Sequence, residues 1–200
     1  VKRTCPDFDL LDVVPASIDL SGAELEVADM ENRNVLLKTA VDEFLENSEE
    51  HYDYVIIDCP PSLGLLVINA MCAVHEMLIP IQAEYYALEG LGQLINTIGL
   101  VQEHFNPSLL VSTMLITMFD KRTLLSREVH DEVKNHYPTI VLNTTIPRTV
   151  KISEAPSFNQ SVIAYDPKGM GAIAYCEAAL EIARRSQTVL KAIDARRNEN

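Results

Sequence analysis

The chain has 200 residues, 48% of them hydrophobic and 22% charged, the make-up of an ordinary globular protein with room for a substantial core. A net charge of −13 excludes a protein that coats nucleic acid over its whole surface. No apolar run approaches the roughly eighteen residues of a membrane helix. The four cysteines, Cys5, Cys59, Cys72 and Cys176, are scattered without a C-x-x-C spacing, so reduced thiols of a cytoplasmic protein are expected rather than disulfides or a zinc site.

Charge is unevenly spread. Residues 39–120 contain no Lys or Arg, whereas residues 121–200 carry twelve basic and nine acidic residues, a net +3 against −16 for residues 1–120. Any nucleic-acid surface is therefore expected in the last eighty residues.

Residues 11–15 read as a short strand stopped by Pro15. Ser21, with Glu24 three residues on, has the form of a capping box. Residues 33–48 place Val35, Leu36, Ala40, Val41, Phe44 and Leu45 at helical spacing. Tyr54-Val55-Ile56-Ile57 is apolar without alternation, which predicts a strand buried on both faces, as in a parallel sheet. Asp58 then stands at its carboxyl end, where open α/β sheets bind ligands, and Pro60-Pro61 turns the chain. A carboxylate after an apolar strand is the usual holder of Mg²⁺ and its waters in nucleotide-hydrolysing folds.

Further on, residues 65–74 are apolar nearly all round and predict a buried helix. Residues 77–81 form a second apolar strand, 88–105 a long helix ended by Asn106-Pro107, 109–119 a third strand and 126–137 a helix. Residues 140–146 predict a fourth strand closed by Pro147-Arg148, and 172–185 a terminal helix with a polar tail at 187–200. Strands alternating with helices of ten or more residues imply a single α/β domain, a mostly parallel sheet flanked by helices on both faces. The five histidines show no ligand spacing and receive no role.

Several blocks, in order, carry a family resemblance. They are Val14-Pro15-Ala16-Ser17-Ile18-Asp19-Leu20-Ser21-Gly22-Ala23-Glu24, Tyr52 to Gly64 around Asp58, Ala83-Glu84-Tyr85-Tyr86-Ala87-Leu88-Glu89-Gly90-Leu91, Thr117-Met118-Phe119-Asp120-Lys121-Arg122, Ile146-Pro147-Arg148 and Ser153-Glu154-Ala155-Pro156-Ser157. Over about residues 8–186 the chain resembles the ParA/Soj chromosome- and plasmid-partitioning ATPases, P-loop NTPases of the deviant-Walker (SIMIBI) type.

The resemblance implies ATP and Mg²⁺ as cofactors, with Asp58 as the Walker B catalytic residue holding the metal through water. It implies that Thr117, Met118, Phe119, Pro147 and Arg148 surround the adenine base. It also implies that Arg122, Lys151 and Arg148, extended by Arg127 and Lys168, grip double-stranded DNA without reading sequence. Lys151 stands where arginine is common, keeping the charge but losing the bidentate fork. The segment 84–92 is implied to lie near a nucleotide-linked switch and the homodimer interface. A ParB/Spo0J-type partner and a cytoplasmic, nucleoid-associated location without membrane contact complete the expectation. Glu154, in Ser-Glu-Ala-Pro, reads as a turn cap rather than a catalytic acid.

One departure stands out. A phosphate cradle needs glycine backbone N–H groups and a lysine, and the only glycine pairs, Gly90-x-Gly92 and Gly169-x-Gly171, have no lysine after them. The chain is therefore expected to lack the family's P-loop strand, to be inactive alone as an ATPase, and to cover the resulting sheet edge by altered packing, swapping or oligomerisation. The alternatives are a non-enzymatic dimerisation or partner-binding module and a MinD-like or metallocluster relative. Residues 187–200 are too polar for a membrane tail, and Cys59 and Cys72 lack partners at the spacing of a bridging pair.

Overall fold

The computed structural model describes residues 3–4 and 10–199. They fall into two compact units, Val1–Ala70 and Met71–Asn200.

In the first unit, β1 (Arg3–Thr4) and β2 (Asp12–Val13) pair antiparallel. Helix α1 spans Leu20–Val27, α2 Leu36–Glu46, and α3 (Leu65–Ala73) runs across into the second unit. The expected capping box does not form. Helix α1 begins a residue before Ser21, with Asp19 at its N-cap and no side-chain cap bond. Glu24 is instead used across the unit, where its carboxylate accepts the Leu66 N–H at the start of α3 (3.0 Å). That reach needs Gly64, because a Cβ there would lie 2.5 Å from the Glu24 Oε1. Asn69, buried on α3, accepts from Leu37 N–H and donates to the Arg33 and Leu65 carbonyls. It ties α3 to the entry of α2 with no orphaned polar atom.

The stretch 54–58 is not a ladder strand. It belongs to no regular element, and Tyr54, Val55 and Ile56 are exposed at 59%, 47% and 88%. Strand propensity supplies no hydrogen bonds by itself, and no described residue pairs with this backbone. The expected two-faced burial is therefore absent in the single chain.

The second unit is built on β3 (Glu76–Gln82) and β4 (Leu110–Thr117), paired parallel. Register puts Ile79, Ile81, Met114 and Ile116 on one face, all buried. Helix α4 (Tyr86–His104) lies against β3 and buries Leu91, Ile98 and Val101. On the opposite face Leu115, Leu142 and Ile146 pack with Ala174 and Ala178 of α8 (Met170–Glu199). Of the residues expected as a polar tail, 187–199 continue this helix as backbone, and residue 200 lies outside the described residues. Between them lie α5 (Leu124–His136), α6 (Val150–Glu154), a 3₁₀ turn at Ala155–Phe158, and α7 (Val162–Tyr165). At Gly171 a Cβ would come within 2.8 Å of the Ile152 side chain, so the start of α8 seats directly on α6.

The expected fourth strand at 140–146 is reduced to two parallel bridges, Met114 with Val141 and Phe119 with Pro147. Between the bridges the Glu181 carboxylate on α8 accepts the backbone N–H groups of Asn143 (2.9 Å) and Thr144 (3.0 Å); of the two, Thr144 is the donor that a continued ladder would turn towards β4, since Leu142 donates to Met114. Arg185 and Lys134 satisfy the carbonyls on the same stretch. Burial raises the Glu181 pKa, but the Asn143 and Thr144 N–H groups and the Arg185 charge outweigh it and leave it below the usual 4.5. The contribution is therefore full above that value and fades as pH falls through the lowered one. Glu181→Ala is expected to cost about 2 kcal/mol at neutral pH, read as a lower urea midpoint at unchanged m-value, with the difference from wild type shrinking in acid.

Candidate functional site

At the carboxyl end of the β3–β4 pair the chain makes three close crossings. The Ala83 N–H donates to the Thr117 carbonyl (2.9 Å), the Phe119 N–H to Ile146 (3.0 Å), and the Arg148 N–H to Phe119 (3.0 Å). Met118, between the first two, holds a left-handed φ of 53°. That conformation costs a non-glycine residue about 1 kcal/mol or more and gathers at functional turns. Here it swings the chain off β4 so that Phe119 meets Pro147. The five residues expected around a base, Thr117, Met118, Phe119, Pro147 and Arg148, thus converge on one loop cluster, joined by Glu84, whose carboxylate lies 3.4 Å from Arg148.

The expected DNA contacts lie on the chain just beyond. Arg122 is 84% exposed and forked onto Asp120, with Nη2 2.7 Å and Nε 2.9 Å from its two oxygens. The Arg122 backbone N–H donates to the same carboxylate. Lys151, on α6, lies 3.0 Å from Glu154 and 5.2 Å from the centre of the Tyr165 ring. Glu154 stands at the N-cap of the 3₁₀ turn, as expected, but makes no side-chain cap bond: its carboxylate accepts from Lys151 and from the Tyr165 hydroxyl (3.3 Å), while Thr149 and Ser161 cap the short helices around it with their side chains. Arg127 and Lys168 are exposed. These ion pairs were open to sequence reasoning, since Asp120-x-Arg122 and Lys151-x-x-Glu154 are close-range spacings. The Glu84–Arg148 contact, sixty-four residues apart, carried no local signal.

Asp58 belongs to the first unit and is exposed on the extended stretch before Pro60. A single carboxylate is one ligand of an ion that demands six. Among the described residues no group of three or more His, Cys, Asp or Glu side chains is placed to hold a metal. The chain on either side of Asp58, from 39 to 70, contains no Lys or Arg, so this stretch does not by itself supply the cations that a Mg²⁺–triphosphate needs. The loop cluster at 117–119 and 147–148, rich in backbone groups and apolar surface, is of the kind that suits a planar base. A groove of about 410 Å³ beside it runs between β3 and α4, lined by Ile79, Ile81, Glu84, Tyr86, Leu91 and Leu94.

A parallel sheet with helices packed against it is an α/β fold, and the solved structures it matches are P-loop NTPases. One is cobyrinic acid a,c-diamide synthase from Mycobacterium smegmatis with bound ADP and magnesium, at TM-score 0.72 and 37% identity over 88% of this chain and 63% of that one. Residues 2–111 match the AAA_31 family, an AAA domain. The sporulation initiation inhibitor protein Soj of Bacillus subtilis is 51% identical over 173 residues, 86% of this chain and 67% of its own length. The chromosome partitioning protein ParA of Myxococcus xanthus is 46% identical over 88% of this chain and 60% of its own. The chain belongs to the ParA/Soj family of chromosome-partitioning proteins, and it spans about two thirds of the length of these relatives.

The Asp120 carboxyl is held at about 2, below the usual 3.8, by the Arg122 side-chain bonds first, then by the Arg122 backbone N–H and charge, and last by the charge of Arg148. The pair is thus intact above the usual value and is lost as pH falls through about 2. In Arg122→Ala the Asp120 midpoint, followed by carboxyl NMR, is expected to move up towards 3.8.

Proposed function

We propose that this chain serves an ATP-driven DNA-segregation machine of the ParA/Soj type. In this reading ATP and Mg²⁺ drive homodimer formation, the dimer holds duplex DNA without reading sequence, and a ParB/Spo0J-type partner stimulates hydrolysis and release. The protein works in the cytoplasm on the nucleoid. The observation that carries the reading is the run of cations leaving the loop cluster: Arg122, Arg148 and Lys151 follow directly on the segments that converge at the strand ends. Nucleotide state at those ends and grip on DNA would then be linked through a few residues of backbone. In the same reading Asp58 positions water around the metal, Thr117 to Phe119 with Pro147 and Arg148 seat the base, and the triphosphate is cradled by a Gly-rich, Lys-containing loop that none of the seven glycines in these 200 residues provides.

Phosphate contacts give affinity and salt dependence without sequence preference. In the protein expressed from its complete reading frame and loaded with ATP, Arg122→Glu is expected to weaken binding to a random-sequence duplex at least about tenfold and to flatten the salt slope by about one or more. Unchanged affinity would remove the DNA assignment. Asp58→Ala in the same protein is expected to abolish ATP turnover, while the 200 residues alone show no Asp58-dependent turnover. Turnover insensitive to Asp58 would overturn the metal assignment, and no turnover in the complete protein would favour a non-enzymatic dimerisation module.

A further inference from the structure

The two cations that lead the proposed duplex-binding surface are not free. Both oxygens of Asp120 are engaged by the Arg122 guanidinium, and Glu154 holds the Lys151 ammonium at 3.0 Å. Arg127 and Lys168, by contrast, are exposed and have no ion-pair partner among the described residues. To a phosphate a few ångströms out, each held pair is nearly neutral. A carboxylate and a phosphate also ask the same of a guanidinium, two parallel N–H bonds to two oxygens. The tethered carboxylate competes at the high effective concentration of an intramolecular group.

We propose that Asp120 and Glu154 are built-in competitors of the duplex: they occupy Arg122 and Lys151, lower the number of phosphates the surface neutralises, and so set both its grip and its response to salt. This rests on the DNA-binding reading above. Each phosphate neutralised contributes about 0.9 to the slope of log affinity against log salt, so a pre-paired cation contributes less than its formal charge. The opposite role for the carboxylates, holding the cations ready for DNA, predicts the opposite sign on their removal.

The test uses the protein from its complete reading frame, loaded with ATP and Mg²⁺, and fluorescence anisotropy on a random-sequence duplex across a salt series. Asp120→Asn is expected to tighten binding about threefold near 50 mM salt and to steepen the slope by up to about 0.9. Glu154→Gln, on a separate element, is expected to act in the same direction and decides the case if Asp120→Asn does not fold. In an Arg122→Ala background the effect of Asp120→Asn is expected to vanish. If Arg122→Ala weakens binding but the carboxylate variants leave affinity and slope unchanged, or weaken them, the competitor role is overturned and the DNA reading stands. If Arg122→Ala itself binds as wild type does, both fall together.

Discussion

The second unit depends on one strip of backbone hydrogen bonds. Parallel pairing of β3 with β4 fixes where each strand ends, and the bonds from Ala83 to Thr117, Ile146 to Ile116, Phe119 to Ile146 and Arg148 to Phe119 then pull three separate segments to one place. Each bond adds only about 1 kcal/mol net, but together they leave the loop after β4 little freedom. Met118 accepts a left-handed backbone inside that strip because its neighbours on both sides are already pinned. Strain at such a position is kept only where the surroundings over-determine it, as the bonds of Thr117 and Phe119 do here.

The long carboxyl-terminal helix shapes the same region from behind. Glu181 accepts the Asn143 and Thr144 N–H groups where the segment after α5 leaves the sheet. Arg185 and Lys134 both donate to the Val141 carbonyl on the same stretch. The outcome is a bulged edge that meets the sheet at Val141, leaves it, and returns at Pro147. Its return delivers Arg148 and then Thr149, the N-cap of the helix that carries Lys151. A side chain thirty-odd residues downstream thus anchors the backbone that leads into the proposed base-binding and DNA-binding segments.

Much of this architecture is legible in the amino-acid order. The helices at 65–74, 88–105 and 126–137 announce themselves by apolar spacing and by punctuation such as Asn106-Pro107, and their observed limits differ by a few residues. The strands at 77–81 and 109–119 are equally plain, since both are short apolar runs bounded by turns. Less legible is whatever depends on a distant partner. Val55 and Ile56 have the composition of a buried strand, yet burial is a property of neighbours and not of composition. Ser21 and Glu24 have a capping spacing, but the Leu66 N–H, forty-two residues away, is the acceptor's actual partner. Likewise nothing between 140 and 146 foretells Glu181. Around the candidate site the segments were visible through family resemblance, and the Arg122–Asp120 fork was visible in principle from an acid two residues before an arginine.

The missing side chain at Gly171 has a mechanical meaning. Helix α8 has 30 residues and so is a rod of about 45 Å, and at its amino end it touches Ile152 with no methyl group to act as a cushion. Bare contact of this kind transmits displacement instead of absorbing it. A methyl group added at 171 would therefore have to push the short helix bearing Lys151 aside, so this one position fixes how near the two helices lie.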